Sequence, residues 1–128
     1  MISIPISVGE LIDKLSILRV KSLKIKNPEK LSFVNKEFEL LYNLSSEFLN
    51  NSEIESLYHK LVDINSFLWE IEDRIRELEY ENKFDDEFIQ VARKVYITND
   101  KRFQVKNEIN LLTSSEIQEV KDYKEYTK

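Results

Sequence analysis

The clearest structural pattern of the chain lies in the segment IESLYHKLVDINSFLWEIEDRIREL, which spans residues 54–78. Its apolar side chains recur at alternating spacings of three and four residues, and they are Ile54, Leu57, Leu61, Ile64, Leu68, Ile71, Ile75 and Leu78. This heptad period places all of them along one side of a long helix, which favours packing against other long helices at a small crossing angle. The segment therefore predicts a helical bundle.

The composition of the whole chain agrees with this prediction. One Gly and two Pro among 128 residues leave few residues for tight turns, which argues against a β-sandwich or barrel. Hydrophobic residues make up 41% and charged residues 34%, a balance typical of folded, helix-rich domains. We therefore predict one all-α domain over residues 1–128, a bundle of four or five helices with long antiparallel, coiled-coil-like hairpins.

Capping signals indicate where the first three helices begin. Residues 7–10 (SVGE) fit the S-x-x-E capping box, so a first helix should begin near Val8. Asn27 and Pro28 suit the cap and the first turn of a second helix. Residues 52–55 (SEIE) form another capping box, which predicts a third helix capped by its serine.

The last third of the chain is harder to interpret. Acidic residues 85–87 suit the positive end of a fourth helix. Polar residues at 98–102 interrupt the apolar stripe of this helix, which either breaks there or continues with a polar patch facing inward. The polar tail, residues 114–128, is expected to be flexible or to dock through Tyr123 and Tyr126.

Charge and cysteine content exclude several functional classes. With 24 acidic and 19 basic residues the net charge is −5, which gives no reason to attract nucleic acid or anionic lipid. The absence of Cys excludes disulfides and thiolate metal sites. The first ten residues lack the pattern of a signal peptide, and no apolar run approaches the about 20 residues of a membrane span. We therefore predict a cytoplasmic protein with no nucleic-acid or membrane partner.

The residue usage makes arginine informative. Lys (14), Ile (14) and Asn (10) are abundant whereas Gly and Ala occur once each, which indicates an AT-rich genome. Against 14 Lys there are five Arg, and four of them fall between Arg74 and Arg102. Because the guanidinium binds carboxylate or phosphate in a bidentate manner, this concentration indicates either specific recognition or surface salt bridges.

A polar cluster is expected where the third and fourth helices meet. If they form a hairpin that turns around residues 82–85, Trp69 lies near Thr98 and Asn65 lies near Arg102. The polar half of one helix then faces the polar interruption of the next. Since a buried polar group without a partner costs about 1–3 kcal/mol, these side chains need partners in the fold or in a ligand.

Two hypotheses account for the cluster. In the first, it is an internal network that sets the register of the hairpin, with Glu72 bound to Arg76 and Asp100 bound to Arg102 or Arg93.

In the second, it is a concave site lined by Trp69 and Tyr96 that holds an anionic or polyhydroxyl ligand. The polar groups of that site would be Arg93, Asn99, Arg102 and Lys106. A surface for a protein partner is a third possibility.

Catalytic signals are weak. Glu70, Asp73 and Glu77 have the spacing to hold Mg²⁺ on one helix, as in all-α nucleotide pyrophosphatases, but the second acidic motif of those enzymes is not evident. His59 is the only His and has no catalytic context. We predict no metal site and no cofactor, and favour a binding module over a small Mg²⁺-dependent nucleotide enzyme.

Three segments resemble the motifs of an uncharacterised bacterial family of short all-helical proteins. They are residues 4–14 (IPISVGELIDK), 68–76 (LWEIEDRIR) and 88–102 (FIQVARKVYITNDKR). Members of that family occur near or fused to glycosyltransferase and surface-polysaccharide genes, so the resemblance implies a role linked to glycans or sugar nucleotides.

The polar motif positions of that family indicate the ligand-binding candidates of this chain. These are Glu10, Asp13, Lys14, Trp69, Glu72, Asp73, Arg93, Tyr96, Asn99, Asp100 and Arg102. We expect a non-enzymatic binding or accessory module, with a purely structural, oligomerising protein as the alternative. The long heptad seam further predicts self-association, most simply as a homodimer.

Overall fold

The computed structural model describes residues 1–127, and Lys128 lies outside the described residues. Residues 1–127 form four helices, α1 (Val8–Lys24), α2 (Pro28–Leu49), α3 (Ser52–Tyr80) and α4 (Asp86–Thr113). Helix α1 packs against the three others, and α3 and α4 pair along their length. The prediction of an all-α bundle is therefore confirmed, with four helices.

The predicted caps of α1 and α2 are confirmed. Ser7 Oγ accepts a hydrogen bond from the backbone N–H of Glu10 at 3.0 Å. Asn27 Oδ1 accepts one from the backbone N–H of Lys30 at 3.0 Å, and Pro28 follows as the first helical residue. Each cap satisfies an amide that has no partner inside its helix.

The predicted cap of α3 was wrong by one residue. Asn51 caps the helix, and Ser52 is already its first residue. The Asn51 side-chain oxygen lies 2.9 Å from the amide nitrogen of Glu53 and 3.4 Å from that of Ile54. Asparagine prevails because it caps as well as serine and its oxygen here reaches two free amides.

The seam of α3 is the main core surface. Its N-terminal half packs with α1 and with the end of α4, in a cluster of Ile12, Ile54, Leu57, Leu61, Val105 and Ile109. Its C-terminal half packs with the start of α4, in a cluster of Leu68, Ile71, Leu78 and Val91. This pairing makes α3 and α4 antiparallel. It also buries most of the apolar seam of α3 inside the chain. The seam is therefore not an exposed surface, as the sequence argument for a dimer had assumed.

Helix α4 continues without a break through residues 98–102. Thr98 is buried in its middle, and Arg102 is half-buried one turn later. Of the two options left by the sequence, the inward-facing polar patch is correct. Two of the polar side chains find partners outside the helix, Arg102 at Asp13 of α1 and Asp100 at Tyr126 of the tail.

Helix α2 is the least buried element. Only Val34 and Ser45 of this helix are buried. Phe33, Leu40 and Leu44 are 71%, 44% and 60% exposed. Their spacings of seven and four residues place them on one face of the helix, so α2 presents an uncovered apolar stripe.

The segment after α4 contains no helix as far as Thr127 and lies back along α4. The hydroxyl of Tyr126 donates a hydrogen bond to Asp100 Oδ2 at 2.7 Å. The rings of Tyr96 and Tyr126 pack edge to face, with centroids 5.2 Å apart. Across the described part of the chain, no helix is long and apolar enough to span a membrane.

Candidate functional site

The centre of the polar cluster is Asp13, a fully buried residue of α1. Arg102 of α4 donates to both of its carboxylate oxygens, from Nε at 2.9 Å and from Nη2 at 2.5 Å. Asn65 of α3 donates to Asp13 Oδ1 at 3.1 Å and to Ser16 Oγ at 2.8 Å. We call these four residues the Asp13 network, and it joins α1, α3 and α4 through one buried carboxylate.

The Asp13 network stabilises the charged form of Arg102. Its hydrogen bonds to Asp13 raise the pKa of the guanidinium, although the burial of the side chain acts in the opposite direction. The Arg102 side chain is still 26% exposed, and its Nη1 makes no hydrogen bond within residues 1–127. The guanidinium therefore has free donors at the surface of the bundle.

A second ion-pair group lies one turn further along α4. Lys106 Nζ is 2.8 Å from Glu10 Oε2 of α1 and 2.8 Å from Glu119 Oε2 of the tail. Asp13 Oδ2 lies 3.9 Å away. Burial lowers the pKa of Lys106, but the hydrogen bonds to Glu10 and Glu119 and the nearby charges outweigh it, so the pKa is raised. The ammonium group thus stays charged although its side chain is only 8% exposed.

Gly9 brings the beginning of α1 close to α4. Its backbone N–H donates to Asn110 Oδ1 at 2.7 Å. A Cβ on Gly9 would lie 2.7 Å from that oxygen and would also overlap the backbone carbonyl oxygen of Lys106. Only glycine fits here without displacing its neighbours, and the close approach holds Glu10 and Asp13 beside Lys106 and Arg102.

A groove of ≈ 460 Å³ adjoins the Asp13 network between α1, α3 and α4. We call it the Trp69 groove, and its lining includes Val20, Trp69, Glu72, Asp73, Asn99 and Arg102. Its volume lies within the range of small-molecule sites. Two carboxylates and two guanidinium groups, including that of Arg76, line it, so opposite charges are balanced around an aromatic ring.

A smaller cavity of ≈ 230 Å³ lies on the other side of Arg102. We call it the Lys106 pocket, and its lining is Glu10, Asn99, Arg102, Phe103, Lys106, Glu119 and Lys121. Asn99 and Arg102 line both cavities, so the two sites share a wall. The side-chain amide of Asn99 makes no hydrogen bond to any other residue that the structure describes. It is therefore free to contact a ligand in either cavity.

Other cavities differ in character. A groove of ≈ 520 Å³ between the start of α3 and the end of α4 is lined by Leu57, Leu111 and Leu112 with acidic and hydroxyl side chains. It contains none of the polar cluster and no basic group. A third groove, of ≈ 630 Å³, lies between α4 and the tail. Neither combines an aromatic ring with the Asp13 network, so we do not assign the ligand site to them.

The structure brings most of the predicted site residues together. Those at the two cavities or directly beneath them are Glu10, Asp13, Trp69, Glu72, Asp73, Asn99 and Arg102. The predicted pair of Glu72 and Arg76 is present. Arg102, in contrast, binds Asp13 of α1 rather than Asp100, because α1 lies beside the α3–α4 hairpin.

The remaining predicted residues lie elsewhere. Arg93 is exposed and donates to Gln90 at 3.2 Å, and Lys14 is exposed on α1. Tyr96 and Asp100 contact Tyr126 of the tail and line the third groove instead. These four residues do not line the Trp69 groove or the Lys106 pocket.

Sequence reasoning overlooked two partners of the cluster. Asn65 was placed near Arg102 but was not assigned to the site. Its amide on the flank of an otherwise apolar seam could have indicated that it belongs to the polar cluster. Glu119 lies in a polar tail without periodicity, so no pattern indicated that it binds Lys106. Within residues 1–127, no group of three or more His, Cys, Asp or Glu side chains is arranged to hold a metal ion.

Comparison with known proteins identifies the family but no activity. Neither a curated protein nor a solved structure shows significant similarity to the chain. A family model matches residues 2–127, which confirms the predicted resemblance to an uncharacterised family. The chain therefore belongs to the family of unknown function DUF6165.

Proposed function

We propose that this protein is a non-enzymatic binding module that holds a small, sugar-like polyhydroxyl ligand in the Trp69 groove. The proposal rests mainly on one observation. Trp69, the only Trp of the chain, lines the same groove as the exposed part of the Arg102 guanidinium, which is paired with the buried Asp13. An aromatic ring next to fixed polar groups is the usual composition of a site for a small polar molecule.

The balance of charges supports a polyhydroxyl ligand. Glu72 and Asp73 offer acceptors, and Asn99 and Arg102 offer donors, so hydroxyl groups can act in both roles around the groove. The apolar face of Trp69 can cover the C–H face of a ring. A strongly anionic ligand gains less here because carboxylates line the same groove.

The rigidity of the wall supports binding rather than structure alone. Arg102 is held through two of its nitrogens by a fully buried carboxylate, while Nη1 has no partner among the described residues. A donor that is fixed before binding loses little conformational entropy when a ligand arrives. The link to glycosyltransferase genes that the motif resemblance implies would agree with a sugar-like ligand. A cytoplasmic location is part of this proposal.

Intrinsic fluorescence tests the proposal, since the chain has one Trp. The wild-type protein is titrated with glucose, galactose, mannose and N-acetylglucosamine up to about 50 mM, well above a weak Kd of about 1 mM. At least one sugar should produce a saturable change. Asn99→Ala should weaken that binding about fivefold or more, because a ligand hydrogen bond is lost.

The matched control is Asn107→Ala, a half-buried Asn of α4 that lines neither cavity. It should bind as the wild type does. The proposal is wrong if no sugar gives a saturable change, or if both Asn variants lose binding equally.

We further propose that the protein forms a homodimer through α2. The support is the apolar stripe of Phe33, Leu40 and Leu44, which the rest of the described chain leaves uncovered. Contiguous exposed apolar side chains on a small protein typically mark an interaction surface, and a twofold axis along such a stripe lets each copy cover the other.

A further inference from the structure

The tail presents a carboxylate to a buried cation. Glu119 comes from the segment without helix that follows α4, yet its Oε2 lies 2.8 Å from Lys106 Nζ. The same segment is held at its far end by the hydrogen bond from Tyr126 to Asp100. Between these points, Lys121 Nζ lies 5.5 Å from the centroid of the Phe103 ring. The tail therefore closes the Lys106 pocket from outside.

The charges around the pocket balance only when Glu119 is present. The positive groups are Arg102, Lys106 and Lys121, and the negative groups are Glu10, Asp13 and Glu119. If the Glu119 side chain turns away while Lys121 stays beside Phe103, one positive charge is in excess. Lys106 would then keep Glu10 as its hydrogen-bonded carboxylate while its ammonium group, with a side chain only 8% exposed, has donors to spare.

We propose that the Lys106 pocket is a binding site for a phosphate group, in which Glu119 is a built-in occupant that the phosphate displaces. A phosphate carries more charge than a carboxylate and has three strong acceptor oxygens, which suits three converging basic side chains. Because Glu119 is tethered, its effective concentration at the site is in the millimolar range. A monocarboxylate such as acetate therefore competes poorly with Glu119 for the basic side chains. A phosphate dianion competes better because of its second negative charge.

The position of the pocket relates it to the proposed sugar site. Asn99 and Arg102 line both cavities, so a hydroxyl-rich ring in the Trp69 groove and a phosphate in the Lys106 pocket would lie on opposite sides of one guanidinium. A phosphorylated sugar is the ligand class that occupies both. This last step depends on the function proposed above, whereas the phosphate site itself does not.

Calorimetric titration of the full-length protein with inorganic phosphate tests the inference. Glu119→Gln removes the competing charge and should bind phosphate about tenfold more tightly than the wild type, since a charge-assisted hydrogen bond is released. Glu116→Gln is the matched control, an exposed tail carboxylate outside the pocket, and should bind as the wild type does. Acetate should give no measurable binding at the same concentrations.

A second variant supplies an independent readout. In the Glu119→Gln background, Lys121→Ala should weaken phosphate binding about fivefold or more, because one of the three basic side chains that line the pocket is lost. The inference is overturned if Glu119→Gln binds phosphate no more tightly than the wild type, or if the added Lys121→Ala leaves phosphate binding unchanged. Trp69→Ala separates the two proposals when both ligands are titrated by calorimetry, since it should abolish sugar binding and, combined with Glu119→Gln, leave phosphate binding intact.

Discussion

Arg102 and Asp13 are 89 residues apart in the sequence and form a two-bonded ion pair in the middle of the bundle. Asp13 is fully buried, and every buried side-chain nitrogen or oxygen among the described residues has a hydrogen-bond partner. The pair is therefore both a structural tie between α1 and α4 and the fixed wall of the two cavities. A ligand at this wall would meet a guanidinium whose orientation the fold has already set.

Breaking the ion pair from one side should be strongly destabilising. Asp13→Asn leaves Arg102 half-buried without its counter-charge, and we expect the free energy of unfolding to fall by about 3 kcal/mol. Urea unfolding followed by circular dichroism measures this as a lower midpoint. Asp73→Asn, at an exposed position, is the control and should change stability by less than about 0.5 kcal/mol.

A double-mutant cycle with Arg102→Gln then tests the pair itself. The double variant should be more stable than the sum of the single effects implies, because no unpaired charge remains. Additive effects would show that the two side chains do not stabilise each other.

Gly9→Ala should weaken the contact between α1 and α4. The new methyl group overlaps the carbonyl of Lys106 and the amide of Asn110, so α1 must shift. Overpacking of this kind costs about 1–3 kcal/mol, which corresponds to a fall in Tm of about 4 °C or more. Lys14→Ala, at an exposed position of the same helix, should leave Tm nearly unchanged, and an equal Tm for both variants would contradict the close approach at Gly9.

Alkaline pH should weaken the Lys106 ion pairs. The pKa of Lys106 is raised above its ordinary value of 10.5, so its contribution is complete below that pH and is lost as the pH rises through the folded-state pKa. The groups that face it are Glu10, Asp13 and Glu119. Urea midpoints measured from about pH 9 to pH 11.5 should therefore fall.

Comparison with Lys106→Met isolates this contribution. The pKa values of Tyr58 and Tyr126 are also raised, so the wild type has further causes of alkaline loss. Lys106→Met should show a shallower fall than the wild type, whereas Lys14→Met should follow the wild type. Equal slopes for all three proteins would mean that Lys106 contributes nothing to the pH dependence.

A charge on the α2 stripe should dissociate the proposed dimer. Size-exclusion chromatography with light scattering should give twice the chain mass of 15.3 kDa for the wild type at about 100 µM. Leu40→Lys should give the single chain mass, because a lysine cannot be buried without a partner. Leu23→Lys, on an exposed part of α1, should remain dimeric. A monomeric wild type would refute the dimer.

Local signals predicted the helices well. The caps at Ser7 and Asn27 and the unbroken apolar period of α3 depend on residues close together in the chain, where spacing alone determines which side chains share a face. The cluster was partly predictable, since a hairpin brings Asn65 and Arg102 to the same level. Its central residue, Asp13, was indicated only by the family resemblance.

The all-α class and the approximate helix boundaries therefore follow from local sequence patterns, whereas at residues 98–102 the same patterns left open both a break and an inward-facing polar patch. The packing of the helices resolves that choice and also sets which groups meet: Asp13 pairs with Arg102, Glu119 pairs with Lys106, and Arg93 lies at neither cavity. The physical reason is that periodicity specifies the face of a helix, while ion pairs between distant elements depend on how the helices are placed around one another. In this protein α1 packs on one side of the α3–α4 hairpin, and this position determines which charged groups come together.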